Sequence, residues 1–397
     1  MAKMPLPPLE SKMWNYLIET QITNNNTIRT KGSWPSYSRF HGTSVHSLES
    51  NSFVTTQLLL ALLEINKNYE LPNSDLVYIK ANQFLNTFIE DSITTNEPAG
   101  TIAYWPLIET PSGKWIRSFS TKIPYRNLKV FNVPNDLDAS ANLFLWYLKT
   151  NQNPNYLNGF IKTVGKYIDT DRKQIYPNDM EWKNNNSGAF LTWAEPDRNI
   201  KYDSRIFKGI NDVDCVVNLN ILTALFSARN FGQELSKSTT QTVKDSCRLI
   251  NETVNKNLSN KCGVWYDRPS QFFTAYSKTF SAQKNENDCL SQSSTRAHKK
   301  LIELATLSLS KKENLTETAE YLSSIKRMWP KNYRDKIINT LIIFLDLKLR
   351  NSIIEESNTA YLNNTESLFI AKIGPIKVEW YSKEFSTALT LQAILMP

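Results

Sequence analysis

With 397 residues, 41% of them hydrophobic, the chain can fill one large core, which excludes a disordered state. Forty-six Lys and Arg against 38 Asp and Glu leave a net charge of +8 spread over a large surface, and with no recognised nucleic-acid module this argues against a nucleic-acid partner. Glycine contributes 11 residues, about 3% where roughly 7% is usual, which disfavours glycine-rich phosphate cradles and many-turned all-β folds.

Taken in chain order, a 3.6-residue hydrophobic period predicts about a dozen helices. They fall near 9–21, 51–66, 75–91, 135–149, 153–168, 212–229, 237–257, 268–281, 293–309, 315–327, 332–350 and 382–395. The first residues carry no apolar signal-like run. The greasiest stretches, Val54 to Ile65 and Ile337 to Leu347, stop short of the roughly 20 residues a bilayer requires. The expectation is a soluble protein without a transmembrane segment, cytoplasmic or exported without a recognisable N-terminal signal. Long polar loops that carry aromatic residues lie at 22–50, 92–134, 169–210 and 351–381; loops of that length usually cover something. Short β-like pieces, such as Ile102 to Trp105, Val264 to Tyr266 and Val378 to Tyr381, suggest small hairpins. Cys215, Cys247, Cys262 and Cys289 form no C-x-x-C pair, so a reducing compartment is compatible and disulfides remain open. No low-complexity linker divides the chain, which reads as a single domain over 1–397, with 1–50 as an N-terminal helix and loop.

An internal repeat organises the middle of the chain. Asn135-Asp136-Leu137-Asp138-Ala139-Ser140-Ala141-Asn142-Leu143 matches Asn211-Asp212-Val213-Asp214-Cys215-Val216-Val217-Asn218-Leu219, and both segments open an apolar helix. A divergent copy runs from Glu49 to Thr56, with Glu49 and Asn51 in place of the aspartates, and Tyr381 to Ala388, which includes Glu384, begins a helix in the same manner. Repeats holding two helices and a long loop suit an all-α fold of the α/α-toroid type, close to six helical hairpins with small β-hairpins. Inner helices of such a ring run parallel, and their acidic N-termini gather around a funnel.

Asp136 and Asp212 read equally well as helix caps. Asp138 with Asn142, and Asp214 with Asn218, are four residues apart and share a helix face among apolar neighbours. A carboxyl confined there is paired, metal-bound or raised in pKa, and the last is what a catalytic acid needs. Asp138, Asp214, Asp136 and Asp212 are therefore the candidate catalytic residues. Asn142 and Asn218, with Trp105, Trp115, Trp265, Tyr266, Trp380 and Glu384 near the acidic ends, are the candidate substrate-binding ones.

At Asp136-Leu137-Asp138-Ala139-Ser140-Ala141 the chain resembles the D-x-D-D-T-A motif of class II terpene cyclases, members with protein prenyltransferases of the terpenoid-cyclase α/α toroids. Ala139 stands where the third aspartate belongs, and Ser140 replaces threonine. The resemblance implies a proton-donor role for Asp138 toward an alkene or epoxide. Gly32-Ser33-Trp34, Gly113-Lys114-Trp115 and Gly263-Val264-Trp265 resemble the G-x-W ends of the repeat that braces those cyclases, without its glutamine.

Ten Trp and 17 Tyr fit either of two small-molecule ligands, since aromatic faces stabilise carbocations and also stack on sugars. The rival enzyme is thus a glycan-active α/α-barrel hydrolase or lyase with Asp138 and Asp214 as acid and base. A third reading is a non-catalytic toroid that serves as a binding or effector module. No cofactor is required, although Asp136, Asp138 and Asn142 with Asp212, Asp214 and Asn218 are hard ligands for Mg²⁺ or Ca²⁺. The three histidines read as solvated, and the oligomeric state is left open.

Overall fold

The computed structural model describes residues 2–23, 31–40, 46–109, 115–117, 133–170, 186–194, 213–259, 261–262, 265–266, 268–283, 289–311, 314–362, 369–373 and 376–397. The chain is mostly helical, with small antiparallel sheets. Twelve α-helices stand among the described residues, one for each expected segment: α1 (Pro8–Thr20), α2 (Ser52–Ile65), α3 (Ser74–Thr94), α4 (Leu137–Thr150), α5 (Pro154–Val164), α6 (Cys215–Asn230), α7 (Lys237–Asn255), α8 (Pro269–Ala282), α9 (Ser291–Ser310), α10 (Leu315–Met328), α11 (Lys336–Arg350) and α12 (Lys383–Leu395). None is long and apolar enough to cross a membrane.

The even-numbered helices are buried on nearly every side, whereas the odd-numbered ones bury a single stripe. Contacts explain this difference. Helix α2 packs on α4, α4 on α6, α6 on α8, α8 on α10, α10 on α12, and α12 back on α2, which closes a cycle. Each odd helix lies against that cycle from one side only: α1 on α12, α3 on α2, α5 on α4, α7 on α6, α9 on α10 and α11 on α10. A helix flanked by two neighbours and backed by a third must be apolar nearly all round; one that packs on a single side need only be amphipathic.

Helix starts are fixed by side-chain caps. Asn51 accepts from the Val54 N–H at 2.7 Å, Asp136 from Asp138 at 2.7 Å, Asp214 from Val216 at 2.7 Å, Asn314 from Glu317 at 3.0 Å and Ser382 from Phe385 at 3.1 Å. Helix α8 begins instead with Pro269.

The strands are β1 (Ser36–Phe40), β2 (His46–Glu49), β3 (Leu107–Glu109), β4 (Trp115–Arg117), β5 (Ile353–Glu355), β6 (Ala360–Leu362), β7 (Phe369–Ile373) and β8 (Ile376–Tyr381). Of the three β-like pieces expected, Val378 to Tyr381 lies in a strand, and Val264 lies outside the described residues. Ile102 makes an isolated bridge to Asp136. The hairpins β1–β2 and β7–β8 join edge to edge through β1 and β8 into one four-stranded antiparallel sheet, which ties the two ends of the chain together. Two disulfides, Cys215–Cys262 and Cys247–Cys289, cross between consecutive helical units.

Candidate active site

The starts of α2, α4 and α6 are each stapled to the approach of the next even helix by backbone hydrogen bonds. Ser52 N–H donates to Tyr104 O at 3.1 Å, Asp136 N–H to Ile102 O at 2.8 Å, Leu137 N–H to Thr192 O at 3.0 Å and Cys215 N–H to Cys262 O at 3.0 Å. Aromatic residues of one approach are thereby carried onto the N-terminus of the preceding helix. Gly100 makes room for this beside α5: its φ is +74°, and a Cβ there would sit 1.9 Å from the Phe160 nitrogen.

At this end lies a cavity of about 60 Å³, walled by Phe53, Tyr104, Trp105, Trp193, Trp265, Tyr266 and Trp380, with Val217 and Thr192. Asp136 and Asp138 are the acidic residues in its lining. The opposite ends of all six even helices, represented by Glu64, Lys149, Asn230, Ala282, Arg327 and Gln392, line a second cavity. The six helices therefore run the same way about a common axis.

Asp138 is 2% exposed. Its Oδ1 accepts from Asn220 Nδ2 at 2.7 Å and Asn142 Nδ2 at 3.2 Å, and its Oδ2 is bonded to the Tyr266 hydroxyl. Burial raises this carboxyl above the ordinary aspartate value, and the Tyr266 and Asn220 bonds, Lys278 and the Asn142 bond pull it only part of the way back. Two amide N–H groups occupy Oδ1, so in the protonated form of the acid the proton would sit on Oδ2, against the Tyr266 hydroxyl at the cavity wall. Burial first, and then the neighbouring Asp138 carboxyl, push the Tyr266 hydroxyl well above its usual range.

Asp136, also in the lining, is the α4 cap. Asp214 is the α6 cap, fully buried, with Oδ1 accepting from Val216 and Val217 and Oδ2 from the Trp265 backbone N–H at 2.9 Å. It does not appear in the cavity wall. The reason is one of register, because α6 starts two residues later in its motif than α4 does, so Asp214 corresponds to Asp136 rather than to Asp138. The Asn218 side chain, in consequence, brackets the Phe190 backbone at 3.0 and 2.9 Å and accepts from Ser246. Ser140 holds the Ile102 N–H in the same way from α4. Asn220 is the counterpart of Asn142, and sequence reasoning missed it; counting six residues from each cap would have found it.

Among the remaining expected residues, Trp105, Trp265, Tyr266 and Trp380 meet in the cavity wall. Glu384 does not: it lies in the first turn of α12, bonded to the Tyr16 hydroxyl at 3.0 Å and to Ser382 at 3.1 Å. Asp212 and the Trp115 side chain lie outside the described residues, as do Gly113 and Gly263. Trp34, of the first G-x-W, is a fully buried packing residue whose indole donates to Leu17 O. No group of three or more His, Cys, Asp or Glu among the described residues is placed to hold a metal ion.

Glu49 is the second residue whose role was not foreseen. Its Oε2 accepts from the indole N–H groups of Trp380 at 3.0 Å and Trp105 at 3.3 Å, while Oε1 accepts from Asn51 at 2.8 Å and Ser36 at 3.0 Å. It thus sets the orientation of two cavity walls. Burial pushes its carboxyl up to about 7 against the pull of these four donors.

Two expected results follow from these placements. Between pH 4.5 and about 7 the folded Glu49 keeps a proton that the unfolded chain has released, so rising pH through that window destabilises the fold. Urea unfolding should show a loss of about 3 kcal/mol relative to Glu49→Gln across it; parallel pH profiles would contradict the assignment. Asp214→Asn sets an amide N–H against the Trp265 N–H and should cost about 1–3 kcal/mol in the same measurement. A variant as stable as the parent would show that the cap does not need that oxygen.

No protein-family model matches the chain, and no curated protein sequence matches it.

Proposed function

We propose that the protein is a general-acid enzyme of the terpenoid-cyclase type, in which Asp138 protonates an alkene or epoxide of an isoprenoid substrate within the aromatic cavity. The closed cycle of parallel helices supports reading the fold as an α/α toroid. The observation that carries the chemistry is a buried acid that is not a helix cap, Asp138, in a wall of aromatic rings. Burial favours the protonated form of such a carboxyl, and ring faces stabilise the carbocation that transfer of its proton creates. Tyr266 positions the proton on Oδ2; Asn142 and Asn220 hold Oδ1. At about 60 Å³ the cavity admits a few water-sized volumes, enough for one reacting end of a polyene, with the remainder along the axis.

The wall also favours isoprenoid over glycan. Trp105, Trp193 and Trp380 are buried rather than presented in an open cleft, and Asp214, the intended partner base, is spent on backbone N–H groups. The two disulfides favour export over a cytoplasmic location, because such bridges persist in oxidising compartments.

The test is to incubate the protein with linear isoprenoids in D₂O and examine the products by mass spectrometry. Proton transfer from Asp138 predicts cyclised or isomerised product with one deuterium on carbon. Turnover of an oligosaccharide panel, or no turnover of either class, would overturn the reading.

A further inference from the structure

The far mouth of the helical cycle has chemistry unlike the first. Its cavity, about 420 Å³, is lined by Lys67, Lys149, Lys278 and Arg327, with Glu64 as the acidic side chain. Glu64 Oε2 accepts from Arg327 Nη2 at 2.6 Å and from Gln392, so it answers one of the four cations. Pro397, on the rim, is held by Arg334 through its carbonyl oxygen at 2.8 Å.

The cations do not satisfy one another. The Arg327 side chain is 5% exposed, and its Nη1 is buried with no hydrogen-bond partner among the described residues, a state that costs more for a charged group than for a neutral one. Lys278 donates to Gln57 at 2.9 Å, which leaves two of its three N–H bonds available. Lys149, in the last turn of α4, has no hydrogen-bond partner among the described residues. Burial lowers both lysines, Lys278 to about 8, which is the strain of like charges gathered out of water. Cations at helix C-termini are favoured by the carbonyl ends, but that effect asks only for proximity to the last turn. It does not call for an unpaired guanidinium N–H in a shared hollow.

We infer that this mouth is a binding site for a multivalent oxyanion, a phosphate or diphosphate group, held by Arg327 Nη1, Lys149 and Lys278. Charge-assisted hydrogen bonds from a guanidinium and two ammonium groups suit that ligand, and a planar fork with one free edge is pre-organised for it. The site goes beyond the proton-donor reading and stands or falls separately. It is joined to it by the axis, where Lys278 and Asn220 line both the far cavity and the space beneath Tyr266.

The experiment is calorimetric titration of the whole chain with inorganic diphosphate at constant ionic strength, alongside sulfate and a monoalkyl diphosphate. Saturable binding of diphosphate is expected, weakened about tenfold or more in Lys149→Gln and in Lys278→Gln and changed less than about twofold in Asp138→Asn. Tighter binding of the alkyl compound identifies the phosphoryl end of an organic molecule as the ligand; equal or weaker binding identifies the free anion. Lys149→Gln breaks no hydrogen bond to a described residue, so it should melt within about 2 °C of the parent, which guards against a folding artefact. No saturable heat with diphosphate, or unchanged affinity in both lysine variants, would overturn the site, whatever the isoprenoid assay shows.

Discussion

Asp138→Asn is expected to abolish isoprenoid turnover, by about 10²–10⁴-fold, while leaving the fold intact. The substitution keeps an oxygen facing Asn142 and Asn220, and the new amide N–H turns toward the Tyr266 hydroxyl, which accepts as readily as it donates. What is removed is the transferable proton and the cost of a buried ionisable group. Thermal stability at neutral pH should therefore be unchanged or higher, the opposite of the loss expected for Asp214→Asn. Tyr266→Phe removes the hydroxyl but leaves the acid, so turnover should fall less and persist. In the parent protein the proposed turnover should decline as pH rises through the raised Asp138 pKa, because a proton donor acts in its acid form. A rate that rises with pH would instead require a base. If Asp138→Asn retained turnover, or if it lost as much stability as Asp214→Asn, the carboxyl would be structural.

The disulfides carry the next largest effect. Cys215–Cys262 closes a separation of 47 residues and Cys247–Cys289 one of 42, and loop-closure entropy assigns about 4 kcal/mol to each. Cys215 is the first residue of α6, directly after the Asp214 cap, so its bridge ties the approach to α8, which carries Trp265 and Tyr266, to the end of α6. Replacing each pair by serine should lower the urea midpoint, and replacing both should bring a fold of ordinary stability, about 5–15 kcal/mol, close to unfolding. Cavity geometry should suffer more from loss of Cys215–Cys262 than of Cys247–Cys289, which joins α7 to the approach of α9. Midpoints unaffected by reductant and by both double substitutions would show that the bridges contribute nothing.

Much of the helical architecture was legible because its physics is local. Apolar residues spaced for α2, α4 and α12 mark helices buried all round, and Asn51, Asp136, Asp214 and Ser382 are strong caps by residue type alone. The start of α11 was drawn too early because Lys331–Tyr333 forms a separate 3₁₀ turn before the Asp335 cap. The candidate site was less legible. The textual repeat places Asp138 opposite Asp214, yet helices align on their caps, and this two-residue slip sets Asp214 level with Asp136 and Asn218 level with Ser140. The repeat marks Glu49 as standing in place of an aspartate, but its hold on Trp380 is not legible in sequence because the long-range pairing of β1 with β8 brings that indole near. Four cysteines allow three connectivities, and spacing alone does not choose among them. Lys278 sits mid-helix in α8, and its meeting with Arg327 and Glu64 depends on which helices close the cycle.

The proposed chemistry requires Asp138 to keep its proton above the ordinary aspartate range. A ¹³C-detected titration of its carboxyl carbon, assigned by comparison with Asp138→Asn, measures this directly. The account predicts an inflection well above the ordinary aspartate value of about 3.9, with the carboxyl still protonated where exposed aspartates have ionised. An Asp138 that titrates at or below that value would make it a permanent anion bonded to Tyr266, and no proton would be available for the chemistry proposed.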